Sequence, residues 1–276
     1  MRGTARLSQA IRWDRVLPFL AIALLPLLWW FGSKTTTYVP SIPEVLDEVP
    51  VFFGDRETYF DIRVTVQRVV GALAVSMVLG FIAAYIISKG GFAARVTSVY
   101  VGLALGIPST IAALISLYVF RRNEIGVYVT VAVVTFPFAT VMLSEGLKTL
   151  DRRLEEMSTT YRIRGFRRTW HVTVPHLIPY IMAALRNENG HAWKVVVLAE
   201  LFSVNTGMGF RFSQAFDRFL VVDVMLWLIA FIAILLGTEY LILRPLESFA
   251  LRWRETRGGT TARLRPAGAA RVGEAA

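Results

Sequence analysis

The sequence predicts an all-α, polytopic membrane protein with about six transmembrane helices and a cytoplasmic helix–turn–helix loop. Three observations lead to this fold class. Hydrophobic residues make up 55% of the 276 residues, and the mean hydropathy is +0.52. The apolar residues occur in blocks close to the roughly 20 residues that a helix needs to cross a bilayer. Lysine and arginine cluster between the blocks, which is typical of membrane proteins and argues against nucleic-acid binding despite the net charge of +10.

The apolar blocks define the predicted transmembrane helices. The first block ends in Trp29, Trp30 and Phe31, where a signal peptidase requires small residues, so we interpret it as an uncleaved helix. Gly71 and Gly80 in the second block are expected to allow close helix packing. The predicted spans are Val16–Phe31, Val64–Ser88, Val96–Phe120, Ile125–Leu143, Ile178–Phe202 and Val224–Leu243.

The distribution of basic residues predicts the orientation in the membrane. With the N-terminus inside, most lysines and arginines outside the spans fall on the cytoplasmic side, as the positive-inside rule requires. Both termini are then cytoplasmic. The chain divides into a cytoplasmic segment 1–15, a transmembrane domain 16–257 and a Gly-, Ala- and Arg-rich tail 258–276 that is expected to be disordered.

Two short helices are predicted on the external side. In the acidic loop Gly32–Arg63, Ser41 is placed to cap a helix that starts with Ile42, Pro43 and Glu44. In the last external loop, Phe212, Ala215, Phe216 and Phe219 recur at helical spacing and indicate an interfacial helix. The preceding Gly207-Met208-Gly209 is interpreted as a turn, because no strand comes before it as a phosphate loop would require.

The longest cytoplasmic loop, residues 144–179, has a structure of its own. Its first part carries an apolar stripe at three- and four-residue steps, which predicts an amphipathic helix. A basic turn follows at residues 162–168, where Gly165 can adopt a tight backbone conformation. A second short stretch ends at Pro175. A helix–turn–helix with a basic tip between two membrane helices indicates a docking element.

The fifth predicted span is unusually polar. It contains Arg186, Lys194 and Glu200, and charges at membrane depth face either a cavity or a partner. Two interpretations stay open. Lys194, with Arg186, lines a path and attracts an anion, or these cations pair with Glu188, Glu200 or another helix for structural reasons. His171 and His176 do not share a helix face, so no metal site is expected.

The long loop resembles a known element. Glu156-Met157-Ser158, followed by Val172-Thr173-Val174-Pro175, resembles the EAA loop of bacterial ABC importer permeases, with Met and Ser in place of two alanines and Arg162 at the usual glycine position. The stretches Ala192–Glu200, Gly207–Phe210 and Glu239–Glu247, together with Val39–Glu44, are similar to the nitrate, sulfonate and taurine branch of these permeases.

The resemblance implies a function and a set of partners. A permease of this kind is not an enzyme and has no cofactor or metal of its own, because ATP and Mg are bound by separate ABC ATPase subunits. It pairs with a second permease copy in the lipid of the cell inner membrane and receives a small solute from an external or periplasmic solute-binding protein. Contact with the ATPase is expected for the coupling residues Glu156, Arg162, Arg164, Gly165 and Pro175, although the arginines are equally explained as positive-inside anchors.

Three alternatives remain at this point. The membrane component of an energy-coupling-factor vitamin importer also docks on ATPases, but its Ala-Arg-Gly motifs are represented here only by Ile163-Arg164-Gly165. A membrane-embedded enzyme requires a convergent catalytic motif, and none is present. A free-standing channel would bind no ATPase.

Overall fold

The structure is a computed structural model that describes residues 24, 26–36, 38–121, 123–150, 157, 167 and 169–258. The described part of the chain is helical throughout, and residues 26–35 form the first helical stretch. The helices that follow are α1 (Ile42–Gly54), α2 (Arg56–Lys89), α3 (Gly91–Gly106), α4 (Ser109–Phe120), α5 (Glu124–Lys148), α6 (Val174–Ser203), α7 (Met208–Asp217), α8 (Val221–Gly237) and α9 (Arg244–Gly258). Two π-helical segments, Thr169–Thr173 and Thr238–Leu243, precede α6 and join α8 to α9.

Three of the described helices are long and apolar enough to cross a membrane by themselves. They are Arg56–Lys89, Glu124–Lys148 and the continuous stretch Val221–Arg252. Two further spans result if each of two bent helix pairs counts as one, which gives up to five. The all-α, polytopic prediction is therefore confirmed. The first predicted span, Val16–Phe31, lies largely outside the described residues.

The predicted span Val96–Phe120 is wrong as a single helix. The structure divides it into α3 and α4, whose axes differ by 99°. Pro108 causes the break, because it has no amide hydrogen and it disfavours helical backbone at the preceding residue. Ile107 accordingly adopts an extended conformation with φ −77° and ψ 122°. After the bend, α4 packs against α5 and α6.

Helices α2, α5 and α6 form the centre of the molecule and make its most extensive contacts. Small residues allow this close approach, as predicted: a Cβ atom at Gly80 would lie 2.5 Å from that of Ala139, and one at Gly71 would lie 2.7 Å from the Tyr128 ring. The main core cluster is built from aliphatic side chains around Trp193 and includes Val69, Ala72, Val127, Val131, Val196 and Ala199.

The two predicted external helices are present as α1 and α7. Ser41 caps α1 in a capping box: its hydroxyl accepts a hydrogen bond from the Glu44 amide, and the Glu44 carboxylate accepts one from the Ser41 amide. Helix α7 follows α6 after a bend of 56°. Phe219 lies beyond the end of α7, with a left-handed φ of 57°.

Candidate functional site

A buried ion pair joins α2 to α6 near the point where α6 ends. Arg68 Nη1 lies 2.7 Å from Glu200 Oε1, and the side chains of both residues are at most 1% exposed. Buried charges in a membrane protein are costly unless they are paired and hydrogen-bonded. The pair is the centre of a group that we name the Arg68–Glu200 cluster, defined by Asp61, Thr65, Arg68, Glu200 and the segment 206–209.

Arg68 connects three parts of the fold. Besides Glu200, it donates hydrogen bonds from Nη1 to the Thr206 carbonyl and from Nη2 to the Thr206 hydroxyl, both 2.8 Å long. Its Nη2 also lies 2.8 Å from Glu124 Oε1, at the start of α5, where the glutamate side chain is 60% exposed. A planar guanidinium with several fixed donors suits such a multiple contact. Arg68 thereby holds α2, α5, α6 and the loop after α6 together.

The cluster also binds the N-terminus of α7. Three successive amides there need partners outside the helix, because the first amides of a helix have no acceptor within it. Gly207 N donates to Asp61 Oδ1 (2.7 Å), Met208 N donates to Thr65 Oγ1 (2.8 Å), and Gly209 N donates to Glu200 Oε2 (2.9 Å). Helix α7 is therefore attached to α2 and α6 through side chains of the cluster.

The two glycines of the turn are required by this geometry. Gly207 has φ of +104°, and a Cβ atom there would lie 2.5 Å from Glu200 Cδ. A Cβ atom at Gly209 would lie 2.5 Å from the Val197 carbonyl oxygen. The predicted turn at Gly207-Met208-Gly209 is correct only at Gly207, because Met208 and Gly209 already belong to α7. A side chain at Gly207 or Gly209 would displace α7 from the cluster.

Arg211 extends the polar contacts toward the surface. Its Nε donates to Asp61 Oδ2 (2.5 Å), and its Nη2 donates to Glu57 Oε2 (2.7 Å). Asp61 is only 1% exposed, whereas the Glu57 side chain is 70% exposed. One side of the network is therefore buried and the other faces solvent.

The other predicted charges on α6 do not join this cluster. Arg186 contacts Glu239 (2.6 Å) in the second π-helical segment and Glu247 (3.1 Å) in α9, with its side chain 40% exposed. This is the structural pairing with another helix that was one of the two interpretations. Glu200 lies fourteen positions after Arg186 on α6 and contacts Arg68 of α2.

Lys194 is exposed and forms no ion pair within the part of the chain that the structure describes. Pairing with Glu200 or Glu188 is wrong, because Glu200 binds Arg68 and Glu188 accepts hydrogen bonds from Ser76 and Ala139. Lys194 lies on the side of α6 that faces away from the core, and it therefore contacts neither of these two carboxyl groups.

The long loop is described only at its base. Glu156, Arg162, Arg164 and Gly165 lie outside the described residues. The prediction that the second stretch of the loop ends at Pro175 is wrong, because the π-helical segment Thr169–Thr173 continues directly into α6 and Pro175 lies within this continuous helix.

Contacts between α5 and α6 fix the two ends of the loop. The hydroxyl of Thr149 lies 2.7 Å from that of Tyr180, and His176 Nε2 lies 3.1 Å from the Gly146 carbonyl oxygen. A Cβ atom at Gly146 would lie 2.6 Å from the Tyr180 ring, so the two helices are in close contact there. The loop therefore starts and ends on a rigid pair of helices.

Sequence analysis missed Arg68 and Asp61 as site residues. A signal for Arg68 was present: it is a cation inside an apolar span, Glu200 is an anion inside another, and such residues usually pair within a bundle. Asp61 precedes the predicted span, and nothing in its local sequence distinguishes it from the other acidic residues of that loop.

Comparison with known proteins agrees with this architecture. The family described as binding-protein-dependent transport system inner membrane component matches residues 76–246. The "Putative aliphatic sulfonates transport permease protein SsuC" of Escherichia coli is 33% identical over 39% of this chain and 41% of its own length. The "Taurine transport system permease protein TauC" of Escherichia coli is 24% identical over 84% of this chain and 87% of its own length.

A solved structure shows the same fold. The "Crystal structure of an amino acid ABC transporter with histidines" superimposes with a TM-score of 0.56 at 14% identity, and the match covers 78% of this chain and 99% of the other. At this identity the likeness concerns the fold alone.

Proposed function

Because the chain belongs to the binding-protein-dependent transport system inner membrane component family, and is thus the membrane-spanning permease subunit of an ABC importer, we propose that it conducts a small sulfonate-type anion. Two copies of the chain form the path between them. An external binding protein delivers the solute, and ATP hydrolysis takes place on separate ATPase subunits. Family membership excludes the energy-coupling-factor and enzyme alternatives, since the permease itself is not catalytic and carries no cofactor.

The single observation that carries the mechanism is the continuity of α6. This helix of 30 residues starts at the base of the long loop and ends at the Arg68–Glu200 cluster. At about 1.5 Å per residue it is roughly 45 Å long. A displacement of the loop by a closing ATPase is therefore carried along a rigid element to the cluster and to α7. Alternating access requires such a connection between two packings of the bundle.

Sidedness follows from the charges at the two ends of the bundle. The end that carries the long loop also carries Lys89, Lys148 and Arg244, and we assign it to the cytoplasm. The opposite end carries α1 with Glu44, Asp47 and Glu48, and the Arg68–Glu200 cluster lies there on the external half. In this orientation the C-terminal helix α9 is cytoplasmic, and so are both termini.

An anionic substrate is supported by two facts. The relatives are named for aliphatic sulfonates and for taurine, which both carry a sulfonate group. Lys194 is an exposed cation on a helix whose other residues are buried or half-buried, apart from Ala183. An exposed ammonium group on the face toward a second copy would attract a sulfonate without binding it irreversibly.

The proposal is tested by reconstitution with the ABC ATPase that co-purifies with the tagged permease and with a candidate solute-binding protein from the same organism. Proteoliposomes are expected to take up radiolabelled taurine or an alkanesulfonate when ATP and the binding protein are both present, with excess unlabelled sulfonate as competitor. A neutral amide of about the same size serves as the control solute. If neither sulfonate is transported and neither stimulates ATP hydrolysis, the assignment of the substrate class is wrong.

A further inference from the structure

Glu188 is a fully buried carboxyl group in the middle of α6. Its Oε1 accepts hydrogen bonds from the Ser76 hydroxyl of α2 (2.8 Å) and from the Ala139 amide of α5 (3.2 Å). Ser76 in turn lies 2.9 Å from the Thr135 hydroxyl of α5. The other oxygen, Oε2, is buried and has no hydrogen-bond partner within the described residues. Three helices therefore meet at a carboxyl group whose contacts are all neutral.

No cation compensates Glu188 among the residues that the structure describes. Arg68 of α2 binds Glu200 and Glu124, and Arg186 of α6 binds Glu239 and Glu247. His191, three residues after Glu188 on α6, stacks its ring on that of Phe138 of α5 with 4.1 Å between the ring centres. The other titratable groups of the packed helices form no hydrogen bond or ion pair with Glu188. They are Arg56, Glu57, Tyr59, Asp61, Arg63, Tyr85 and Lys89 on α2, Tyr128, Glu145 and Lys148 on α5, and His176, Tyr180 and Lys194 on α6.

The packing around Glu188 leaves no room for a hydration shell. Ser76 and Gly80 lie one turn apart on α2, and a single methyl group added at Gly80 would approach the Ala139 Cβ to 2.5 Å. Ala184, one turn before Glu188 on α6, is also fully buried, in the cluster with Ala139 and Leu143. An ion that is removed from water and left without a counter-charge is strongly disfavoured, and a carboxyl group avoids this by keeping its proton.

Glu200 provides the contrast within the same helix. It lies about 18 Å further along α6 and is equally buried, but it faces the guanidinium of Arg68, the Thr65 hydroxyl and the Gly209 amide. These contacts suit an anion, because a charged donor and two neutral donors share its two oxygens. Helix α6 therefore holds two buried glutamates in different environments. The surroundings of Glu200 favour the charged carboxylate, and those of Glu188 favour the protonated carboxylic acid.

We propose that Glu188 is a proton-binding site. In its protonated, neutral form the side chain holds α2, α5 and α6 together, and its deprotonation loosens this junction. The ligand is a proton and not the transported solute, so the proposal is independent of the substrate class. The junction lies on α6 between the long loop and the Arg68–Glu200 cluster. The proton therefore acts on the element that carries motion between them, and it makes the packed state sensitive to alkaline pH.

The test uses the purified permease–ATPase complex and Glu188→Gln, which reproduces the shape and neutrality of the protonated side chain. The infrared spectrum of the wild type minus that of Glu188→Gln at neutral pH is expected to show the carbonyl band of a protonated carboxylic acid. The folded state holds one proton more than the unfolded chain, so rising pH shifts the wild-type folding equilibrium toward the unfolded form by up to tenfold per pH unit. The melting temperature is measured by tryptophan fluorescence. For Glu188→Gln it is expected not to show this decrease with rising pH.

Two controls separate this site from its neighbours. His191→Gln is expected to keep the loss of stability at alkaline pH, because an imidazole is already neutral there in the folded and in the unfolded chain. Glu200→Gln is expected to lower the melting temperature at every pH, since it leaves the buried Arg68 with only the solvent-exposed Glu124 as an anion. The proposal is overturned if the carboxylic acid band is absent, if Glu188→Gln keeps the wild-type pH slope, or if Glu188→Gln fails to accumulate in the membrane.

Discussion

Arg68 of α2 and Glu200 of α6 form an ion pair of 2.7 Å, although 132 positions separate them in the sequence. Both side chains are removed from solvent, and the same two residues also contact the loop that starts α7. The pair therefore decides where α7 lies relative to the two central helices. In the proposed orientation, α7 closes the external side of the bundle.

Arg68→Met is expected to destabilise the protein strongly, because it leaves Glu200 buried without a counter-charge. Breaking one partner of a buried pair costs about 3–5 kcal/mol. The melting temperature and the yield of assembled complex measure the loss. Arg63→Met on the same helix, where the arginine is exposed, is the matched control and should be close to neutral. The double variant Arg68→Met/Glu200→Met should recover part of the loss, and a purely additive effect would contradict the pairing argument.

Gly209→Ala is expected to displace α7, since the added methyl group would lie 2.5 Å from the Val197 carbonyl oxygen. Overpacking of this kind costs roughly 1–3 kcal/mol, and it should lower uptake together with the melting temperature. Gly102→Ala is the control, because nothing lies within 4 Å of a Cβ atom there and alanine favours the helix. Equal behaviour of the two variants would mean that the close approach at Gly209 has no consequence.

Lys194→Gln is expected to reduce uptake of a sulfonate about tenfold or more, which corresponds to a lost interaction of about 1.4 kcal/mol. Because the lysine is exposed and pairs with no described residue, assembly and melting temperature should stay as in the wild type. Lys89→Gln, which removes an exposed lysine at the end of α2, is the control for a general effect of charge. Unchanged uptake by Lys194→Gln would remove this residue from the path.

The long loop is predicted to seat its basic tip in a groove of the ATPase. The native chain has no cysteine, so Arg164→Cys provides a single reactive thiol. It is expected to cross-link to a cysteine placed in that groove, with a yield that changes when ATP is added. Deletion of residues 162–168 should leave membrane insertion intact and abolish ATPase association. A deletion variant that still transports at the wild-type rate would falsify the coupling role.

The proposed orientation is tested with single cysteines at exposed positions near the two ends of the bundle. Asp47→Cys in α1 should react with a membrane-impermeant maleimide added to intact cells. Phe249→Cys in α9, where the side chain is 72% exposed, should react only after the membrane is opened. The opposite labelling pattern would invert the assignment of the two sides.

The elements that depend on local composition could be predicted from the sequence. Hydropathy identified the long apolar helices because the length of a span is set by the bilayer. The capped helix at Ser41 and the change of direction at Gly207 were predictable because capping and turn geometry depend on a few adjacent residues. Hydropathy did not reveal that Pro108 bends the third span by 99°, since the residues on both sides of the bend are equally apolar.

Which charges meet depends on how the helices pack against one another. Four ionisable residues of α6 each face a different environment. Arg186 faces α9, and Glu188 faces the α2–α5 junction. Lys194 faces the surface, and Glu200 faces Arg68. Helix periodicity gives the angles between these side chains and not the rotation of the helix in the bundle. That rotation depends on how α2, α5 and α6 pack at Gly71, Gly80 and Trp193, which are contacts between distant parts of the chain.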